Sequence, residues 1–149
     1  MNSAAQPIRI LLVDDSFAFL WGLRKLIEAE YPRLAVVGAV ATADEALVYC
    51  DLEPHVTLLD VDLRGASSLG FIPEIRARSH GEVLALTGLR DPRVHEQALR
   101  LGALRVLTKD LPGAELLQAV EQAARGRGDG SIVLRKSGGS SDVPPKAKP

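Results

Sequence analysis

HVTLLDVDLRG, residues 55–65, sets an apolar run directly against two acids. Val56, Thr57, Leu58 and Leu59 have the composition of a fully buried strand, yet the next residue is Asp60 and the next but one is Asp62. A carboxylate at the end of a buried run is costly to desolvate unless a partner pairs with it or a reaction uses it. The strand therefore ends either in water or at a working rim, and the rest of the chain decides between them.

Similar short apolar runs flank this one. IRILLV (8–13), LAVVGAV (34–40), EVLALTG (82–88) and LRVLT (104–108) read as four more strands. Helical patterns separate them. Ser16 is a candidate N-cap, and Phe17, Leu20, Leu23 and Ile27 then recur at helical spacing until Pro32 closes the segment near Glu30. Thr42 and Glu45 form a T-x-x-E capping box ahead of a second helix that extends to about Leu52. After 60, a loop with Gly65, Ser67 and Ser68 leads to a short helix bearing Ile72 and Ile75, with Pro73 in its first turn. Asp91 and Pro92 open a fourth helix lined by Val94, Ala98 and Leu101, which Gly102 stops. A fifth helix over 113–125 turns Leu116, Leu117, Val120 and Ala124 inward. Strands alternating with helices predict a parallel sheet covered on both faces, and right-handed crossovers reduce the topology to a doubly wound, flavodoxin-like fold, (βα)5.

Composition excludes several classes. The 149 residues suit one domain, with 46% hydrophobic and 25% charged residues and a net charge of −1. That balance gives no bulk attraction to nucleic acid or membrane. The single cysteine, Cys50, forbids an internal disulfide and reads as a small helix residue. MNSAAQP is not a signal peptide and no run is long enough to span a bilayer, so a soluble cytoplasmic protein is expected. The division expected is a flexible 1–7, a domain over 8–125, and a largely disordered Gly/Ser/Pro/Lys-rich tail over 126–149 with a formal charge of +3. His55, His80 and His95 lack ligand spacing. Trp21 reads as packing beside Phe17. Arg90, Arg93, Arg100 and Arg105 read as a solvated face, with docking of an acidic partner as the sharper alternative.

In a doubly wound sheet ligands bind at the carboxyl ends of the strands. Those ends carry Asp14 and Asp15, then Asp60, then Thr87, then Lys109. Three carboxylates in one pocket repel unless a cation joins them, and an all-oxygen set with room for water suits Mg²⁺, with Mn²⁺ as an alternative. A hydroxyl and an ammonium opposite would hold phosphoryl oxygens.

This arrangement resembles the receiver domain of two-component response regulators, of the single-domain type. The resemblance is carried by LLVDDS (11–16), VTLLDVDLRG (56–65), VLALTG (83–88) and GALRVLTKD (102–110). It implies that Asp60 accepts a phosphoryl group from a histidine kinase or phosphotransfer protein. It further implies that Asp15, Asp60 and the backbone carbonyl of Asp62 bind Mg²⁺, that Asp14 acts through water, and that Thr87 and Lys109 hold the phosphoryl oxygens. Such a protein catalyses at most its own phosphorylation and dephosphorylation, and signals by binding an unknown downstream protein, with a homodimer possible.

Three positions depart from the family pattern. Val106 stands where an aromatic residue is common, Leu63-Arg64-Gly65 replaces M-P-G, and Asp110 replaces a proline after the lysine. Some relatives of that last kind carry a helix-turn-helix, for which 149 residues leave no room, so no direct DNA binding is expected. The rival readings are a receiver that binds partners without being phosphorylated, kept open by Val106 and Arg64, and a small Mg²⁺-dependent aspartyl phosphatase, suggested by the D-x-D of Asp60 and Asp62.

Overall fold

The computed structural model describes residues 6–88 and 90–129, with side chains through 126. Five strands form one parallel sheet: β1 (Ile8–Val13), β2 (Leu34–Val40), β3 (Val56–Asp60), β4 (Glu82–Thr87) and β5 (Arg105–Thr108). Their order is β2-β1-β3-β4-β5, so the chain reverses its winding direction after β2 and both directions start beside β1 and β3. The flavodoxin-like doubly wound fold expected from the strand pattern is the fold observed.

The two-residue strand period divides the core into two halves. Ile10 and Leu12 of β1, Leu58 of β3, and Leu84 and Leu86 of β4 face one way. They pack against Leu23 and Ile27 of α1 (Phe17–Glu28) and Leu116, Ala119, Val120 and Ala123 of α5 (Gly113–Asp129). Leu11, Val13, Leu59, Val83 and Ala85 face the other way. There they meet Ala43 and Ala46 of α2 (Ala43–Tyr49), Ile72 and Ile75 of α3 (Ile72–Ser79) and Ala98 of α4 (Pro92–Leu101). Each fully buried Leu or Ile contributes about 1.5–3 kcal/mol, and because both faces are covered β1 and β3 are apolar apart from Arg9, Thr57 and Asp60.

Local signals set the helix ends. The Ser16 hydroxyl accepts from the Phe19 N–H, and Asp91 caps α4 by accepting from Arg93 N–H at 2.9 Å. Thr42 accepts from Glu45 N–H at 3.1 Å, but the Glu45 carboxylate reaches back to the Ala41 amide rather than to that of Thr42. Pro73 sits in the first turn of α3, and Gly102 ends α4 with φ of 118°.

Several expectations need correction. Trp21 does not pack: it is 58% exposed and Phe17 80%, because α1 turns Leu23 and Ile27 to the sheet, leaving Phe17 and Trp21 outside and Lys25 over the indole at 5.4 Å. The loop after β3 contains a hairpin, Asp62–Leu63 paired with Ala66–Ser67. Helix α5 runs on to Asp129, past the end expected at 125. The readings made for 1–5 and for the tail beyond 129 lie outside the described residues.

Other residues behave as read. The imidazole of His55 accepts the Arg9 N–H at 2.9 Å, a structural bond. Cys50 is buried, and burial pushes its thiol up, away from thiolate chemistry. Arg90, Arg93 and Arg100 each face an acid of their own, Asp110, Asp91 and Glu96 respectively.

Candidate functional site

The strand order brings the carboxyl ends of β1, β3, β4 and β5 side by side, β1 delivering Asp14 and Asp15 and each of the others one group. Asp14 leaves β1 tied to the neighbouring strand by its N–H to the Val40 carbonyl at 3.0 Å, so its side chain is held at 2% exposure. Asp60 is the last residue of β3 and is 4% exposed. Thr87 is the last residue of β4, also 4% exposed. Lys109 follows β5 and is locked to its neighbour by its N–H to the Thr87 carbonyl at 2.9 Å.

These groups meet as the sequence predicts. Carboxylate oxygens of Asp14, Asp15 and Asp60 all lie within 4.8 Å of one another. The Lys109 ammonium sits between two of them, 2.6 Å from Asp14 Oδ2 and 3.2 Å from Asp60 Oδ2. Asp15, Asp60, Asp62, Thr87 and Lys109 share the wall of a cavity of about 530 Å³. Asp14, buried, is not part of that wall. Asp62 is exposed, and its backbone N–H donates to Asp60 Oδ1 at 3.1 Å.

The electrostatics follow from this crowding. Burial pushes the Asp60 carboxyl above its ordinary range, and the Asp14 charge adds to the rise, while the Asp62 N–H and Lys109 pull against it. Burial disfavours charge on Lys109 too, but the two carboxylates outweigh it and the ammonium is held above the usual lysine range. Asp14 Oδ2 is buried and has no hydrogen bond of good geometry, only the ion pair. One lysine thus balances two buried carboxylates, with a third beside them.

A hard divalent cation fits this donor set. Ligand oxygens about 2.1 Å from Mg²⁺ lie at most about 4.2 Å apart, so within a cluster 4.8 Å across two carboxylates can reach the ion directly after at most a small contraction and the third can act through water. The incompletely satisfied Asp14 oxygen and the surplus of negative charge both favour it.

Sequence reasoning missed three contributors. The Phe19 ring lies 4.6 Å from the Lys109 ammonium, a cation–π contact that supports the lysine from below. The buried Ser68 hydroxyl donates to the Asp60 carbonyl at 2.5 Å and fixes the backbone of that residue. The Arg64 N–H donates to Asp15 Oδ2 at 2.7 Å. The first and third cross from one chain segment to another, and no local pattern reports them. Ser68 had a signal in its loop position, but its buried hydroxyl is a tertiary fact. Val106 is partly buried and packs against the same core half as Val94 and Leu101.

Comparison with known proteins places the chain in a family. The nitrate/nitrite response regulator protein NarL of Escherichia coli K12 is 30% identical over 126 residues, which are 83% of this chain and 58% of that protein. The chain thus spans little more than half of that relative. The signal receiver domain of a NarL response regulator from Mycobacterium tuberculosis superposes with a TM-score of 0.75 at 27% identity, covering 82% of this chain and 99% of that one. A two-component response regulator of the LuxR family from Aurantimonas sp. SI85-9A1 gives a TM-score of 0.73 at 33% identity, covering 82% and 88%. The response regulator receiver domain model matches residues 10–121, from within β1 into α5 and across every strand end that carries a site residue, and this chain belongs to that family.

Proposed function

We propose that this receiver accepts a phosphoryl group on Asp60 from the phosphohistidine of a histidine kinase or phosphotransfer protein and passes the signal on by protein–protein contact. The observation that supports it most is the placement of Asp60: a carboxylate at the buried end of β3, open to the cavity, within 3.2 Å of Lys109 and next to two further acids.

The chemistry follows from those groups. A carboxylate oxygen of Asp60 forms a bond to phosphorus as the P–N bond of the donor breaks, and the electron pair returns to the imidazole. Lys109 and the Thr87 hydroxyl take the phosphoryl oxygens, offsetting charge that the buried pocket cannot dissipate. Asp15 and Asp60, with the Asp62 carbonyl, would hold Mg²⁺ directly and Asp14 through water; when bound, the ion supplies positive charge to the transferring group. Phosphorylation then shifts the balance between two conformations of the β4–α4 and β5–α5 region.

Intact mass after incubation with acetyl phosphate tests the reading. The wild-type chain gains one phosphate-sized increment with Mg²⁺ and none after chelation. No gain from acetyl phosphate or from a phosphohistidine donor would instead favour the binding-only receiver that Val106 and Arg64 keep open.

Asp62 adds a tuning element. Asp62 is exposed and lines the cavity beside Asp60, where its carboxylate would assist water attack on an acyl phosphate. Asp62→Asn should lengthen the phosphoryl half-life by roughly three- to tenfold, read by loss of the mass increment over time. An unchanged half-life removes Asp62 from that role.

A further inference from the structure

The hairpin beyond β3 closes through only two residues, Arg64 and Gly65, between the paired Leu63 and Ala66. Both have positive φ, 56° and 78°. This is the signature of a tight primed turn, which fits the twist of a hairpin and which arginine enters only at a cost. In such a turn the N–H of the first loop residue takes no part in the ladder and points out of it. Here it points at Asp15: Arg64 N–H donates to Asp15 Oδ2 at 2.7 Å, across 49 residues of sequence.

Asp15 is the exposed member of the carboxylate cluster. Asp14 is held by the Ser16 N–H at 2.8 Å and by Lys109. Asp60 is held by the Asp62 N–H and by Lys109. Asp15 has the Arg64 amide. A short amide-to-carboxylate bond of this kind is charge-assisted and fixes one oxygen while leaving the other free. Proline, which the family pattern carries at this position, has no N–H and cannot take positive φ, so it could neither make this turn nor this bond.

We infer that Arg64 is a positioning residue for the cation site: its backbone amide, aimed by the two-residue turn, presets Asp15 for Mg²⁺. The role belongs to the backbone and not to the guanidinium. A preset ligand spends less conformational entropy on binding, so losing the bond lowers affinity even though no ligand is removed. The inference rests on the metal site proposed above.

Two substitutions separate the amide from the charge. Arg64→Asn removes the guanidinium but keeps the N–H and creates Asn-Gly, the pair that most favours a primed turn. Arg64→Pro removes the guanidinium, the N–H and the positive φ together. Calorimetric titration with Mg²⁺, and depletion of the free Mn²⁺ resonance signal as a second readout, give affinities without any phosphorylation assay. Far-ultraviolet circular dichroism and thermal melts check that both variants are folded. Arg64→Asn should bind as tightly as wild type or up to about threefold tighter, since a nearby positive charge is gone. Arg64→Pro should bind about tenfold more weakly than Arg64→Asn. Equal affinity in the two variants overturns the inference, as does an equal loss in both. If wild type takes up neither ion, the metal site itself fails, which is a different result from equal affinity in variants that bind. Should Arg64→Pro not fold, Gly65→Val decides: its β-branched side chain opposes the positive φ at 65 through which the turn aims the Arg64 amide, so affinity should fall several-fold below wild type, and an unchanged affinity overturns the role of the amide.

Discussion

Asp60→Asn leaves a folded protein that gains no phosphate from acetyl phosphate and Mg²⁺, with incorporation falling at least about 100-fold. The amide presents no anionic oxygen to phosphorus, and no other carboxylate among the described residues has the same support: Asp14 lies off the cavity wall and Asp15 is turned toward the Arg64 amide. A second readout separates lost chemistry from lost structure. The Asp60 carboxyl is held above its ordinary range, first by burial and then by Asp14. A folded pKa raised above the unfolded value means that the ionised form costs folding energy. The stability tied to the protonated group is present at low pH and is lost as pH rises through the folded pKa. At neutral pH without metal, Asp60→Asn should therefore be more stable than wild type, by roughly 1 kcal/mol or a few degrees in Tm. Mg²⁺ should narrow that gap, because it stabilises the wild-type carboxylate and has less to hold in the variant. A variant that melts earlier than wild type, with or without Mg²⁺, would show that Asp60 is a structural partner of Lys109 before it is anything else. A variant that still takes up phosphate would move the acceptor to another residue.

The sequence carries the fold because each element has a local cause. β1 and β3 are mostly apolar since both their faces are covered, Arg9, Thr57 and Asp60 being the exceptions, and the caps at Ser16, Thr42 and Asp91 act within three residues of themselves. The site is legible for a related reason: each of its groups sits at a strand end, and a doubly wound sheet gathers those ends without further instruction. What stays hidden depends on which side of an element faces the sheet or on contacts between distant segments. Phe17 and Trp21 share the spacing of Leu20, Leu23 and Ile27, and only the docking angle of α1 decides that the aromatic pair stays outside. Arg64 reads as an extra charge near the site, whereas its contribution in the structure is a backbone amide made available by a positive φ that arginine rarely adopts. The Phe19 ring beneath Lys109 likewise depends on how the first turn of α1 meets β5, 90 residues away in sequence.

Lys109→Met should produce the largest loss of stability at the site and, at the same time, a gain in cation affinity. The ammonium is the positive group placed between Asp14 and Asp60, at 2.6 and 3.2 Å, and it is only 24% exposed. Removing one partner of a buried ion pair costs about 3–5 kcal/mol because the other is left buried and uncompensated. Partial exposure of the lysine reduces the expectation to about 2–4 kcal/mol without metal, measured by urea denaturation at neutral pH. The sign of the pH dependence follows from the carboxylates. Without Lys109 a cause that lowers the Asp60 pKa is gone, so that pKa rises further above its unfolded value. The penalty is then full above the folded pKa and fades as the pH falls and the carboxyl takes up a proton. Mg²⁺ addresses the same imbalance. In wild type an arriving cation must share the carboxylates with an ammonium whose own protonation they reinforce; in Lys109→Met it meets them without that competition. The variant should therefore bind Mg²⁺ several-fold more tightly and recover most of its lost stability on saturation, through the mass-action gain that any ligand of the native state provides. Weaker Mg²⁺ binding together with lost stability would mean that Lys109 builds the carboxylate cluster instead of restraining its charge. No change in stability would mean that solvent already screens the pair, despite the burial of both carboxylates.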